Sequence, residues 1–348
     1  MILSAAVLNR TLLARQHLLQ RVDTDSLDVI DHLLGLQAQA PLPPYLSLHA
    51  RVSGFDPQVL SRALEDRQIV RLLLMRGTVH AVSPADATSL RRFSQPVLDR
   101  AARTSAVARP AMGVSRPALL DFARQVLADG PLPVGRLGEH LAQRFPDVPA
   151  KALVDALRMA APLVQVPPRG MWQRSGGVVY QLLDTWIAEL PEPAPPADIA
   201  RRYLRAFGPA TAADVTAWSG ITGAAGILAE LGDEIVRYRT ESGREVLDLA
   251  GLDLADPDIP APVRLLGQYD NLWLSHAGRD RVTAPEVRPR WMGSNGGVAN
   301  TVFVDGWLHG LWRRAESGAL DVELFGRITR AQRRELDAEV AALERLLT

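Results

Sequence analysis

The 348-residue chain has no cysteine and a single lysine, Lys151, so that of its 39 basic residues the other 38 are arginine. The first absence excludes disulfides, cysteine-ligated zinc, iron–sulfur clusters and a thiol nucleophile. The second leaves Schiff-base chemistry one side-chain candidate besides the amino terminus. Lys151 follows no glycine-rich loop, which also excludes a P-loop. Net charge is missing too, because 39 acidic residues bring the total to +0. A neutral chain carries no overall electrostatic footprint for nucleic acid, and any such surface must be a local patch. The codon composition of a GC-rich genome accounts for most of the arginine bias. No apolar run is long enough to span a membrane. The opening Met1-Ile-Leu-Ser-Ala-Ala-Val-Leu8 has no basic segment before its apolar one and stops at Asn9-Arg10, unlike a signal peptide, so the cytoplasm is the expected compartment.

What remains is ordinary for a globular protein: 47% hydrophobic and 22% charged residues, in a chain long enough for two or three domains. Helical segments followed by short hairpins recur three times. The first unit (1–110) has helices at 26–36, 45–52 and 57–64, then strands at 69–75 and 78–83 joined by Arg76-Gly77. The second (111–190) has helices at 116–127, 134–145 and 150–160, then strands at 163–166 and 177–183 around another Arg-Gly pair, Arg169-Gly170. A proline-rich linker from Pro191 to Pro196 leads into the third (191–262). Its helices at 198–207, 210–218 and 222–231 have helix-turn-helix spacing, and its wing strands lie at 234–239 and 245–249. Residues 263–348 read as strands at 263–274, 298–304, 307–313 and 320–324, closed by an amphipathic helix at 329–347. The fold class expected is α+β: three tandem winged helices with a β-rich C-terminal part.

Seven histidines show no metal-ligand spacing, and no hydrolase or dinucleotide fingerprint occurs, so neither metal nor cofactor is expected. The segment Leu34-Gly-Leu-Gln37-Ala-Gln39-Ala-Pro41 places two amides two residues apart where a helix meets a proline-rich break. Taken alone these are capping or loop residues, since glutamine cannot exchange protons near neutral pH.

The same segment, with Tyr45, Ala50-Arg51, Leu64-Glu-Asp-Arg67, Val70-Arg71 and Met75-Arg76-Gly77-Thr78-Val79-His80, resembles the AlkZ/YcaQ family of winged-helix DNA glycosylases. Farther on, Gln268-Tyr-Asp270-Asn271-Leu-Trp273 with Arg279 and Arg281, and Thr301-Val-Phe-Val-Asp-Gly-Trp307 with Gly310-Leu-Trp312-Arg313, extend the resemblance over essentially the whole chain. In that family a Gln-apolar-Gln or Gln-apolar-Asp triplet is catalytic, which implies Gln37 and Gln39 here. The Gln-Gln form is that of AlkZ, linked to resistance against DNA-alkylating antibiotics and to unhooking of interstrand crosslinks, and it speaks against a carboxylate-based mechanism. Amide carbonyls of Gln37 and Gln39 would supply negative dipole ends and hydrogen-bond acceptors for an oxocarbenium-like sugar and a water.

The resemblance implies double-stranded DNA carrying alkylated bases as partner, a monomer without membrane contact, and a nucleoid association when bound. With one lysine, base excision without strand cleavage is expected. Candidate DNA contacts are Arg51, Arg76, His80, Asn271, Arg279 and Arg281. A surface ion pair is the equal alternative for each arginine, and a core or edge position for His80. Trp273 and Trp312 could stack on DNA, but apolar flanks favour packing. Two competing readings are a winged-helix transcription regulator and a non-catalytic scaffold. The regulator reading is opposed by the lack of a dimerisation seam and of Arg, Lys, Asn or Gln on residues 222–231.

Overall fold

The computed structural model describes residues 1–293 and 297–348. The fold is mixed α and β, with strands gathered in three sheets. The largest has six strands in the order Leu36–Gln37, Val79–Val82, Val70–Leu73, Leu163–Gln165, Val179–Leu182, Leu132–Pro133. The wing hairpins expected in the first two units therefore lie in one sheet, joined where Leu72 pairs with Val164. Every residue of Val70–Leu73 and Val79–Val82 is buried. Apart from Arg71 and His80 these strands are apolar on both faces, and so they do not show the alternation of a half-exposed strand.

Two long helices are absent from the sequence reading. The N-terminal helix Ala5–Arg15 is capped by Ser4 and buries Asn9 and Arg10 along with its leucines. Those polar residues break the apolar stripe, yet each is spent inside: Asn9 Nδ2 donates to the carbonyls of Arg281 at 2.7 Å and Gly306 at 2.8 Å. The long helix Pro84–Thr104 starts from a Ser83 cap with Pro84 in its first turn and runs through an internal Pro96, a residue that normally ends a helical pattern. Its buried Arg91 donates from Nη2 to the carbonyls of Met159 at 2.8 Å and Ala161 at 3.0 Å. A cation thus meets the negative end of helix Ala150–Ala160 and links the first unit to the second.

The third unit has helices Pro196–Phe207, Ala212–Ser219 and Ala224–Ala229, the last shorter than the expected 222–231. Its hairpin, Ile235–Thr240 with Glu245–Leu249, is covered on its outer edge by the N-terminal strand Ile2–Leu3, which pairs in parallel with Ile235–Thr240.

The C-terminal sheet contains Arg264–Leu266, Asn300–Val304, Trp307–Arg314 and Leu320–Leu324. The strand expected over 263–274 is corrected here: it ends at Leu266, and Asn271–Leu274 is a helical turn. The cause is local, since Tyr269 takes a positive φ of 58° and the Asp270 carboxylate caps the turn by accepting from Leu272 N. The terminal helix Arg330–Leu347 docks through Leu336, Leu343 and Leu347, and its Glu339 receives a bidentate pair from Arg21 at 2.8 and 2.7 Å. Trp273 stacks on Trp291 with centroids 4.0 Å apart, and Trp312 Nε1 donates to Leu266 O, so both tryptophans pack inside. Among the described residues no helix is long and apolar enough to cross a membrane.

Burial, as the leading cause, holds four histidines low: His17 and His49 to about 4, His80 and His276 to about 3. Each is neutral when folded at neutral pH and regains its ordinary value near 6.5 on unfolding. The unfolded chain therefore binds more protons below that value, so this contribution is complete above pH 6.5 and declines as pH falls toward 4. Urea midpoints should hold steady from about pH 7.5 to about pH 7 and drop continuously below about pH 6. Midpoints flat down to about pH 4.5 would contradict this account of the buried imidazoles.

Candidate active site

The two glutamines lie just beyond a helix end that the sequence builds with care. Helix Ser26–His32 is followed by Leu34 and Gly35 at φ 55° and 92°, and Gly35 N reaches back to Ile30 O at 2.8 Å, closing the helix with a left-handed turn. A Cβ on Gly35 would sit 2.4 Å from Val82 Cγ1, so glycine is required. The chain then enters the strand Leu36–Gln37, paired with Val79–Val82 so that Gln37 faces His80 in register.

The backbone around the glutamines is held from several sides. Ala38 N donates to Val79 O at 2.7 Å, and Ala38 O accepts from Arg71 Nη2 at 2.7 Å. Asn271 Nδ2 donates to Gly35 O at 3.0 Å and Leu33 O at 3.3 Å. Arg71 is itself buried, its Nη1 bound to Arg169 O at 2.8 Å, and burial brings its pKa down to about 10. It packs so closely on Gly170 that a Cβ there would lie 2.7 Å from Arg71 Cδ. The Arg-Gly pair of the second unit thus buttresses the glutamine segment of the first.

The side chains differ in setting. Gln37 is 8% exposed, whereas Gln39 is open to solvent. Gln37 Oε1 accepts from Arg76 Nη2 at 2.9 Å, with the Thr78 hydroxyl at 3.3 Å. Gln39 Oε1 accepts from Val79 N at 3.2 Å. Arg76 also donates to the carbonyl of Trp218 in the third unit. Burial, then the charge of Arg279, lowers the Arg76 pKa to about 10. His80 Nδ1 lies 3.0 Å from Thr78 O and must donate to it, which leaves Nε2 as the acceptor 3.4 Å from Arg76 Nη2. Burial, then Arg76, holds His80 at about 3, so it is neutral and offers no proton at neutral pH.

Arg279, whose charge bears on Arg76, lines a cleft of about 940 Å³ together with Arg244 and Arg288, the acids Asp214, Glu245 and Asp280, and Trp291 and Met292. Of the expected DNA contacts, only Arg279 lines it. Arg279 spends Nη1 on the carbonyls of His276 and Ala277, and the charge of Arg288 bears on it in turn. The charge of Arg279 bears on Arg76 and that of Arg288 on Arg279, while three carboxylates balance the three guanidiniums of the cleft lining.

Four expected contacts need correction, because their polar atoms serve the protein interior. Arg51 is 0% exposed and forms a bidentate pair with Asp270 at 2.7 Å on each arm, with further bonds to Ser47 and Gln16. Asn271 anchors the turn at Leu33 and Gly35 as described. Arg281 is buried with Nη1 on Pro209 O at 2.6 Å. His80 is 2% exposed. Arg71 was not among the expected site residues, although a lone charge between Val70 and Leu72 in an apolar strand is a readable sign of a buried polar role.

The sequence profile of a family described as DNA glycosylase AlkZ-like matches residues 30–346. The interstrand DNA cross-link repair glycosylase of Streptomyces sahachiroi is 26% identical over 321 residues, covering 86% of this chain and 84% of that protein. The solved structure of Streptomyces sahachiroi DNA glycosylase AlkZ is similar with a TM-score of 0.81 at 22% identity, over 100% of this chain and 97% of that one.

Removing one partner of a fully buried ion pair typically costs about 3–5 kcal/mol, since the other charge stays behind unpaired. Arg51→Ala should lower the unfolding free energy in urea by about that amount. Unchanged stability, with DNA affinity weakened and its salt slope reduced by about one counterion, would restore Arg51 as a phosphate contact.

Proposed function

The chain belongs to the AlkZ-like DNA glycosylase family, and from that premise we propose that it is a monofunctional enzyme hydrolysing the N-glycosidic bond of N7-alkylguanine in double-stranded DNA, with Gln37 and Gln39 as its catalytic pair. The observation that carries this reading is the pair itself: two amides on an anchored strand edge, with the Arg76 guanidinium bound to Gln37 and a neighbouring histidine that stays neutral.

The substrate's chemistry suits such a site. An N7-alkylguanine is a cation, so when the bond between C1′ and N9 breaks, the electron pair passes to the base, which leaves neutral without a proton from the enzyme. Positive charge moves to the sugar as an oxocarbenium ion. A water then attacks C1′, forms the new C–O bond and releases its proton to solvent. The protein's part is to hold the sugar, the base and the water in place, which fixed amide dipoles do without titrating. Their weakness as bases confines the enzyme to labile cationic lesions.

The relative from Streptomyces sahachiroi is named for cross-link repair, and we extend that substrate class to this chain: a guanine joined through N7 to the opposite strand is cationic in the same way, and hydrolysis at one end unhooks it. The three helix-and-hairpin units serve as the DNA-binding frame, Arg279 faces the backbone, and the enzyme works as a cytoplasmic monomer. Lys151 is exposed at the start of helix Ala150–Ala160 and the amino-terminal strand is tied to the third unit's hairpin, placements that support excision without a lyase amine.

In single-turnover assays on duplex DNA containing N7-methylguanine, Gln37→Ala and Gln39→Ala should each slow excision at least about tenfold. Unchanged rates in both variants would remove the pair from the chemistry. The product strand should stay intact until treated with alkali. Breakage without alkali, together with a covalent adduct trapped by borohydride, would show a lyase step that this reading denies.

A further inference from the structure

We propose that Arg76 is a positioning residue that fixes Gln37 as a hydrogen-bond donor, so that the two glutamines divide the reaction between them: Gln37 Nε2 serves the departing base and the Gln39 carbonyl serves the water. This inference rests on the reading of Gln37 and Gln39 as the catalytic pair.

Donor and acceptor chemistry settles which way each amide points. A guanidinium can only donate, so the Gln37 atom 2.9 Å from Arg76 Nη2 is the carbonyl oxygen, and Nε2 is the end left for a substrate. The orientation is enforced from three directions. The second Nη2 proton faces the lone pair of neutral His80 at 3.4 Å, and Nη1 is bound to the Trp218 carbonyl. The turn carrying Arg76 is seated against the third unit, where a Cβ on Gly220 would lie 3.4 Å from Arg76 Cα and 3.2 Å from Val97 Cγ1.

The backbone supports a dedicated role. Arg76 and Gly77 have φ of 56° and 70°, the central pair of a hairpin turn whose first position ordinarily holds Asn, Asp or Gly. An arginine there is held in the left-handed region at a local cost, and its side chain is what the turn gains in exchange. Among the described residues, Arg76 donates to Gln37, His80 and Trp218 and forms no ion pair with a carboxylate.

Charge decides which half of the reaction Gln37 serves. During cleavage the base loses positive charge and the sugar acquires it. A cation held one hydrogen bond behind Gln37 opposes a developing oxocarbenium ion but favours electron flow into the base. Gln37 Nε2 therefore suits an acceptor on the guanine, such as N3 or O6, that becomes more basic as the bond breaks. Among the described residues Gln39 has no hydrogen bond to Arg76, and its carbonyl, engaged by Val79 N at 3.2 Å, keeps a lone pair for a water proton.

The test is single-turnover release of N7-methylguanine by variants at Gln37, Gln39 and Arg76, with binding to duplex DNA carrying a non-cleavable abasic analogue measured alongside. Gln37→Glu keeps an acceptor for Arg76 but has no donor, and should lose about a hundredfold, the scale for removing one positioned donor. Gln39→Glu keeps its acceptor and should lose at least about tenfold less than Gln37→Glu. Arg76→Ala should slow wild-type enzyme at least about tenfold but slow a Gln37→Ala enzyme less than about threefold, with binding changed less than about threefold, because its effect passes through Gln37. Arg76→Lys, which keeps the charge without the two-armed bridge, should behave like Arg76→Ala and stands in for it if that variant fails to fold. Gln37→Glu as fast as Gln39→Glu, or the same Arg76→Ala factor in both backgrounds, overturns this inference alone. A wild-type chain that releases no base overturns the functional reading and this one together.

Discussion

The buried pair between Arg51 and Asp270 joins parts of the chain 219 residues apart, and the glutamine segment hangs from it. One guanidinium spans the end of the N-terminal helix through Gln16, the helix Pro43–Arg51 through Ser47, and the C-terminal part through Asp270. The next residue, Asn271, grips the turn that delivers Gln37. An ion pair taken fully out of water contributes little net stability relative to a well-packed apolar replacement, but it tolerates almost no change of geometry. Its value here is positional: it sets the distance between the N-terminal and C-terminal parts at the point where the glutamines emerge. Arg71 performs the same service from the other side by holding Ala38 O. On the proposed reading, a site made of uncharged amides has only fixed dipoles to offer, and a rigid backbone is what keeps them aimed.

A net charge of zero at first argued against a nucleic-acid surface. The structure shows where the balance is struck. Much of the acid is used locally, as in Arg21 with Glu339, Arg15 with Asp248 and Arg201 with Glu234. Arg76 has no carboxylate partner among the described residues, whereas the cleft that Arg279 and Arg288 line is balanced by Asp214, Glu245 and Asp280. An unpaired charge of this kind acts at short range, within the roughly 8 Å over which physiological salt leaves charges unscreened.

Local signals in the sequence were legible and distant ones were not. The helix Ala150–Ala160 and the strands Glu245–Leu249 and Leu320–Leu324 have the expected bounds, because their apolar period and flanking turns are contained within the segment. The apolar run from 263 misled because a capped helical turn and a strand look alike over so few residues. The sharing of one sheet by two units depends on the single contact between Leu72 and Val164, which no local pattern announces. The glutamines stood out through a family resemblance, not through their own chemistry. The arginines were the least legible, since an exposed Arg and a buried one are the same letter, and the partner that buries Arg51 lies far along the chain. The orientation of the Gln37 amide could be read only once Arg76 was seen against it.

The central claim, that an anchored pair of uncharged amides hydrolyses the glycosidic bond of a cationic base, is tested most directly by mass-spectrometric detection of the released base. Duplex DNA carrying one N7-methylguanine would be incubated with wild-type protein and with a folded Gln37→Ala, Gln39→Ala double variant. The account predicts free N7-methylguanine and an equal amount of abasic site with the wild type, and release no faster than spontaneous loss with the double variant. Release by the double variant at the wild-type rate would contradict it.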